Sequence, residues 1–146
     1  MINKALTIKE VASILKVTSA AIRLKIKSGV IPSDCILTLP APKLTNSPGI
    51  PPKIRINANK LIHHYPEVYD MFDHHYNGGD VERFYKISNF SKIISISITT
   101  VRAKMLDGII PYVNIPREEG AKRTYRIDAK KFVEQYPDYS QFFNFN

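Results

Sequence analysis

LTIKEVASILKVTSAAIRLKIKSGVIP, residues Leu6–Pro32, decides how the rest of the chain is read, because it occurs twice. Tyr85–Pro111 reads YKISNFSKIISISITTVRAKMLDGIIP and aligns with it without a gap. Ile8 falls on Ile87, Ile14 on Ile93, Arg23 on Arg102 and Lys25 on Lys104, and Gly29-Val30-Ile31-Pro32 falls on Gly108-Ile109-Ile110-Pro111. Apolar character survives where identity does not: Val11 meets Phe90, Leu15 meets Ile94, Val17 meets Ile96 and Ile22 meets Val101. After a spacer of unequal length the correspondence resumes, Ile54–Leu61 on Tyr125–Phe132, then Tyr65-Pro66 on Tyr136-Pro137 and Phe72 on Phe143. Two copies are too few for a solenoid, which needs about three or more stacked units. The pattern therefore predicts two copies of one small domain.

Within the first copy, Thr7-Ile8-Lys9-Glu10 has the form of a capping box, in which hydroxyl and carboxylate each satisfy an amide at the helix start. Ile8, Val11, Ala12 and Leu15, with Ile14 beside them, follow at a spacing near 3.6 and predict a helix. Lys16-Val17 interrupts it. Thr18 is read as a second cap and Ser19–Ser28 as a second helix, with Ala21, Ile22 and Ile26 inward, Leu24 less firmly so, and Ser19, Ala20, Arg23 and Lys27 outward. Gly29 suits a left-handed helix end, and Pro32 prevents resumption. A strand is expected over Cys35–Leu39, a proline-rich loop over Pro40–Pro52 and a returning strand over Lys53–Ile56. Asn57 caps a third helix, Ala58–Tyr65, and Glu67–Phe72 adds a further helical turn. Asp73–Glu82, polar and with Gly78-Gly79, is read as connecting chain. The second copy repeats the plan: a helix near Asn89–Ile94, a helix from Ser97 to Asp107, strands Tyr112–Ile115 and Arg123–Ile127 around a shorter tip, and a helix Ala129–Tyr136. Phe142, Phe143 and Phe145 are expected at a seam between domains. The expected architecture is thus mainly α with small β-hairpin wings, an α+β class, in three parts: 1–72, a linker 73–84, and 85–146.

The chain has 146 residues, a formal charge of +8 and a pI near 9.6, which favours an anionic partner such as nucleic acid. The charge is uneven: residues 1–72 hold ten Lys/Arg against four acids, residues 73–146 eleven against nine. Cys35 is the only cysteine, so no internal disulfide and no CxxC zinc pattern are possible. It is read as a small, partly buried apolar residue in a reducing, cytoplasmic setting. The opening residues MINKALTIKEVAS carry no long apolar core, so no secretory signal is expected. No run approaches the roughly 20 apolar residues of a membrane span.

The repeated segment resembles the opening of MerR-like winged helix-turn-helix domains, most of all their phage excisionase branch. The matching residues are Thr7, Glu10, Val11, Ala12, Leu15, Val17, Thr18, Ile22, Arg23, Gly29, Ile31 and Pro32. The second copy matches at Thr100, Val101, Arg102, Gly108, Ile110 and Pro111, but departs where Ser88-Asn89-Phe90 replaces Lys9-Glu10-Val11. The resemblance implies two tandem winged helix-turn-helix domains whose Ser19–Ser28 and Ile98–Asp107 helices enter the major groove, with wings along the backbone or minor groove. The residues by themselves agree, since a helix fits that groove and its outward polar side chains can read base edges. Arg23 and Arg102 stand at the same place in both copies and can pair bidentately with guanine or phosphate. The candidate DNA contacts are Ser19, Ala20, Arg23, Lys27, Lys53, Arg55, Thr99, Arg102, Lys104, Arg117, Lys122, Arg123 and Arg126, with Lys25 as a further phosphate contact. Against each stands the ordinary alternative of a solvated or structural charge.

Other chemistries are poorly represented. His63-His64 and His74-His75 lie near Asp70 and Asp73, and Asp70 and His74 are four apart, but neighbouring histidines cannot share a helical face and no HExxH pattern is present. No metal, cofactor or catalysis is therefore expected; the chain has no Walker A loop, GxSxG or paired-carboxylate motif. The expected function is sequence-specific binding of double-stranded DNA, as a transcriptional regulator or a recombination directionality factor of a mobile element, with further copies of itself along DNA as additional partners and no membrane association. The alternative is a protein-interaction adaptor in which the basic charge is incidental.

Overall fold

The computed structural model describes residues 5–39, 53–78 and 81–143, and its short helices are joined to two small antiparallel sheets. The chain divides into two compact units, Met1–Phe72 with Arg117–Gly120, and Asp73–Pro116 with Ala121–Asn146.

In the first unit, strand β1 (Ala5–Leu6) leads into helix α1 (Ile8–Leu15), and helix α2 (Ser19–Ser28) follows after a short turn. The capping box forms: the Glu10 amide donates to Thr7 Oγ1 at 3.0 Å, and the Thr7 amide donates to Glu10 Oε1 at 3.2 Å. Lys16 ends α1 in the left-handed conformation (φ 57°), and the Val17 amide reaches back to the Ala12 carbonyl at 2.9 Å. Thr18 then caps α2 by accepting from the Ala21 amide at 3.0 Å. A 3-10 turn, Ser33–Cys35, precedes strand β2 (Ile36–Leu39), which pairs with β3 (Lys53–Asn57). Strand β3 also pairs with β1, giving the order β1-β3-β2 with Leu6 and Ile36 both opposite Ile56. Asn57 caps helix α3 (Ala58–His64), accepting from the Lys60 amide at 3.1 Å. A 3-10 turn and helix α4 (Tyr69–Asn77) follow, the division between the units falling within α4.

The second unit has the same order and the same strand arrangement. Strand β4 (Phe84–Tyr85), helix α5 (Ile87–Ile94), helix α6 (Ile98–Leu106), strands β5 (Tyr112–Ile115) and β6 (Thr124–Asp128), and helix α7 (Ala129–Gln135) form a sheet ordered β4-β6-β5. Tyr85 and Tyr112 both lie opposite Ile127, the position that Ile56 holds in the first unit. Ser95, at the place of Lys16, is again left-handed (φ 59°), and the Ile96 amide donates to Ser91 O at 3.1 Å. Helix α5 differs at its start: its N-cap is Lys86, which makes no side-chain cap.

The buried apolar side chains explain why each plan holds. In the first unit they are mostly aliphatic: Leu6, Val11, Leu15, Ile22, Ile31, Ile56 and Leu61 are essentially inaccessible. In the second, Phe90, Phe132 and Phe143 form the centre, with Phe90 and Phe143 stacked at 5.9 Å between ring centroids and Phe132 edge-on to Phe90 at 5.2 Å. Each such burial contributes about 1.5–3 kcal/mol, enough to hold helices too short to persist alone. A charged pair is also buried in the second unit. Arg83 donates through Nε and Nη2 to the two carboxylate oxygens of Asp128, both at 2.8 Å, while Asp128 Oδ1 also accepts from the Lys131 amide to cap α7.

Several expectations are corrected. Helix α4 runs on to Asn77, into the stretch read as linker, because Met71 and Phe72 bury one of its faces. Arg83 and Phe84, also assigned to that linker, are buried in the second unit. The strands β1 and β4, two residues each, were not anticipated; they carry no legible alternation and exist only through pairing with β3 and β6. Cys35 belongs to the 3-10 turn rather than to β2. Phe143 sits in the core of its own unit, whereas Phe142 is 44% exposed. The proline-rich loop expected over 40–52, and Phe145, lie outside the described residues.

Candidate nucleic-acid interface

Helix α2 turns Ile22 inward, with Ala21 and Ile26 half-buried, and this leaves Ala20, Arg23, Leu24 and Lys27 exposed along one stripe. Ser19, expected outward, is half-buried at the first turn. Helix α6 repeats the arrangement: Val101 and Met105 are buried, and Thr99, Arg102, Ala103 and Leu106 are exposed at the equivalent positions. Arg23 and Arg102 therefore stand on corresponding outward faces, as the repeat implied. The face of each helix is fixed at both ends. Thr18 and Ser97 supply the N-caps, the Thr100 amide donating to Ser97 Oγ at 3.2 Å. Gly29 and Gly108, at φ 85° and 78°, reverse the chain at the C-termini.

Two lysines depart from expectation. Lys25 and Lys104 share a place in the repeat about 160° around the helix from Arg23 and Arg102. Lys25 is 7% exposed and pairs with Glu118 at 3.3 Å within the first unit, so it is no phosphate contact. Lys104 is exposed but lies beside Thr100, on the rim of an apolar groove lined by Ile94, Ile96, Ile109 and Phe132.

The strand arginines are also divided. Arg55 and Arg126 hold equivalent positions on β3 and β6, and each donates through Nη1 to the preceding carbonyl, Ile54 O at 3.1 Å and Tyr125 O at 2.8 Å. Arg55 is half-buried; Arg126 is 6% exposed, and loss of solvent lowers its pKa. Arg126, opposite Val113 on β6, is thus withdrawn from solvent. Arg117, Lys122 and Arg123 are exposed around the tip between β5 and β6, and Arg123 is further held in its charged form by the Tyr125 phenol. The Lys53 side chain lies outside the described residues.

The outward surface holds features that residue spacing did not flag. Leu24 (54% exposed) and Leu106 (78%) project from the stripes. In the second unit Arg102, Met105, Leu106, Tyr112 and Tyr125 line a shallow notch between α6 and the hairpin, with the two tyrosine rings edge-on at 5.0 Å. Adjacent apolar residues at the close of a basic helix were the available signal for Leu106, but burial is the usual fate of a leucine and gave no reason to single it out.

The histidines do not gather. His74 Nε2 lies 2.7 Å from Val81 O and its ring meets Phe84, His75 meets Tyr76, and His64 faces Asp34. Among the described residues one group of three metal-capable side chains comes together, Asp34, Cys35 and His64. The His64 hydrogen bond holds the Asp34 carboxyl below its usual range. Burial, with the Asp34 charge, pushes the Cys35 thiol up to about 11. No described helix is long and apolar enough to cross a membrane.

No family model, no curated protein and no solved structure matches this chain.

Proposed function

We propose that the chain is a sequence-specific double-stranded DNA-binding protein made of two tandem winged helix-turn-helix domains, 1–72 and 85–146, acting in the cytoplasm without catalysis. The observation that carries this reading is the pair of exposed arginines, Arg23 and Arg102, at corresponding positions on α2 and α6 in two units of identical strand order. On this reading Ala20, Arg23 and Lys27 from one helix, and Thr99, Arg102 and Leu106 from the other, face the major groove. The arginines supply bidentate contacts, and Leu24 and Leu106 supply apolar contact suited to a thymine methyl. Arg117, Lys122 and Arg123 contribute phosphate contacts from the hairpin tip. A transcriptional regulator or an excisionase-like recombination factor is the role such a module would serve.

The direct tests are retention on random duplex DNA at two salt concentrations and, on a duplex that the chain selects from a random pool, comparison of the native chain with the Arg23→Ala/Arg102→Ala variant. The reading expects strong salt dependence, because Lys/Arg–phosphate contacts release counterions, and a loss of about 1–3 kcal/mol per bidentate contact removed. A second reading, an interaction adaptor without direct DNA readout, draws support from the 78% exposure of Leu106 on the same face. It expects the double arginine variant to leave DNA retention unchanged.

A further inference from the structure

The two units differ in length at one place outside the hairpin tips. In the second, Pro111 runs directly into Tyr112, the first residue of β5. In the first, Ser33–Cys35 intervenes between Pro32 and β2 as a 3-10 turn packed on α3. That turn brings Asp34 and Cys35 against His64, at the C-terminal end of α3, where the second unit has Gln135.

Both Asp34 carboxylate oxygens lie 3.0 Å from His64 Nε2, Asp34 Oδ1 lies 3.7 Å from Cys35 Sγ, and the three ligand atoms fall within 4.8 Å of one another. We propose that Asp34, Cys35 and His64 form a binding site for a borderline-soft divalent cation of the zinc type. Around tetrahedral zinc, bonds of about 2.0–2.3 Å set ligand atoms roughly 3.3–3.7 Å apart, so two of the three edges are already near that length. Thiolate, carboxylate and imidazole are the donor types such an ion takes. Cys35 is fully buried while the Asp34 and His64 side chains are 55% and 35% exposed. The thiol therefore forms the floor and the other two the rim, with a fourth position facing solvent.

Charge completes the case. On binding, the thiol proton leaves to solvent as the sulfur–metal bond forms. The proton on His64 Nε2 leaves, or moves to Nδ1, as that nitrogen donates its lone pair. Thiolate and carboxylate together then neutralise a dication. The proposal is independent of DNA binding.

The test is titration of the reduced full chain with Co2+, followed by competition with Zn2+. A thiolate-to-cobalt charge-transfer band is expected, saturating at one ion per chain and removed by Zn2+; as the chain has a single cysteine, the band identifies Cys35. Because replacing a buried residue can unfold the protein, His64→Gln and Asp34→Asn carry the comparison, each weakening Co2+ binding more than about tenfold. Absence of the band at millimolar Co2+, or a band of undiminished affinity in both variants, overturns the site.

Discussion

Arg23 and Arg102 concentrate the chemistry of the outward helix faces. If both contact DNA, Arg23→Lys and Arg102→Lys should each retain part of the non-specific, salt-dependent affinity and lose discrimination between sequences, because an ammonium cannot make the fork-shaped contact. Competition between target and random duplex would measure that. Arg126 supplies the contrast. It shares its strand position with Arg55 but is buried, so Arg126→Ala is expected to act on folding stability and to leave DNA retention untouched once folded protein is compared. The outward placement of Arg23 and Arg102 was legible from helical spacing alone. The burial of Arg126 and of Lys25 was not, since a charged residue in a polar-apolar alternation reads as exposed whichever way the neighbouring elements close over it.

Individual elements show how local sequence sets helix ends. Helix α1 has a complete capping box and α5 has none, Lys86 and Asn89 standing where Thr7 and Glu10 stand in the first copy. Lys86→Thr is expected to raise the stability of the second unit by about 0.5–1 kcal/mol in urea unfolding, and Thr7→Ala to lower that of the first by a similar amount. Gly29→Ala should cost about 1–2 kcal/mol, entirely through its left-handed backbone, because a Cβ there meets nothing within 4 Å. Capping boxes, terminal glycines and the 3.6 spacing placed most helices within two or three residues. Helix α4 ran further than expected because burial of Met71 and Phe72, not a local signal, sustains it. The 3-10 turn at Ser33–Cys35 was missed for a related reason: its residues read acceptably as strand, and its packing on α3 is tertiary.

For the whole molecule, if the proposed DNA binding holds, a tandem arrangement would make engagement of the second unit intramolecular, at an effective concentration of order mM for a short connection. Footprinting is expected to reveal two protected patches per molecule, centred about 10 bp apart, and Arg102→Ala should weaken one selectively. The buried Arg83–Asp128 pair makes a separate claim on stability. Arg83→Ala would leave Asp128 without its bidentate partner and is expected to destabilise the second unit by about 3–5 kcal/mol, read by denaturant unfolding. The chain's repetition, its α+β class and the caps and turns that punctuate it were determined by sequence alone, because periodic burial and backbone preference act over a few residues. Pairing of β1 with β3 and β4 with β6, the internal Arg83–Asp128 bridge and the meeting of Asp34 and Cys35 with His64 were decided only by tertiary structure. Each joins groups roughly 30 to 50 residues apart, and what brings them together is the closing of a core, which no local stretch encodes.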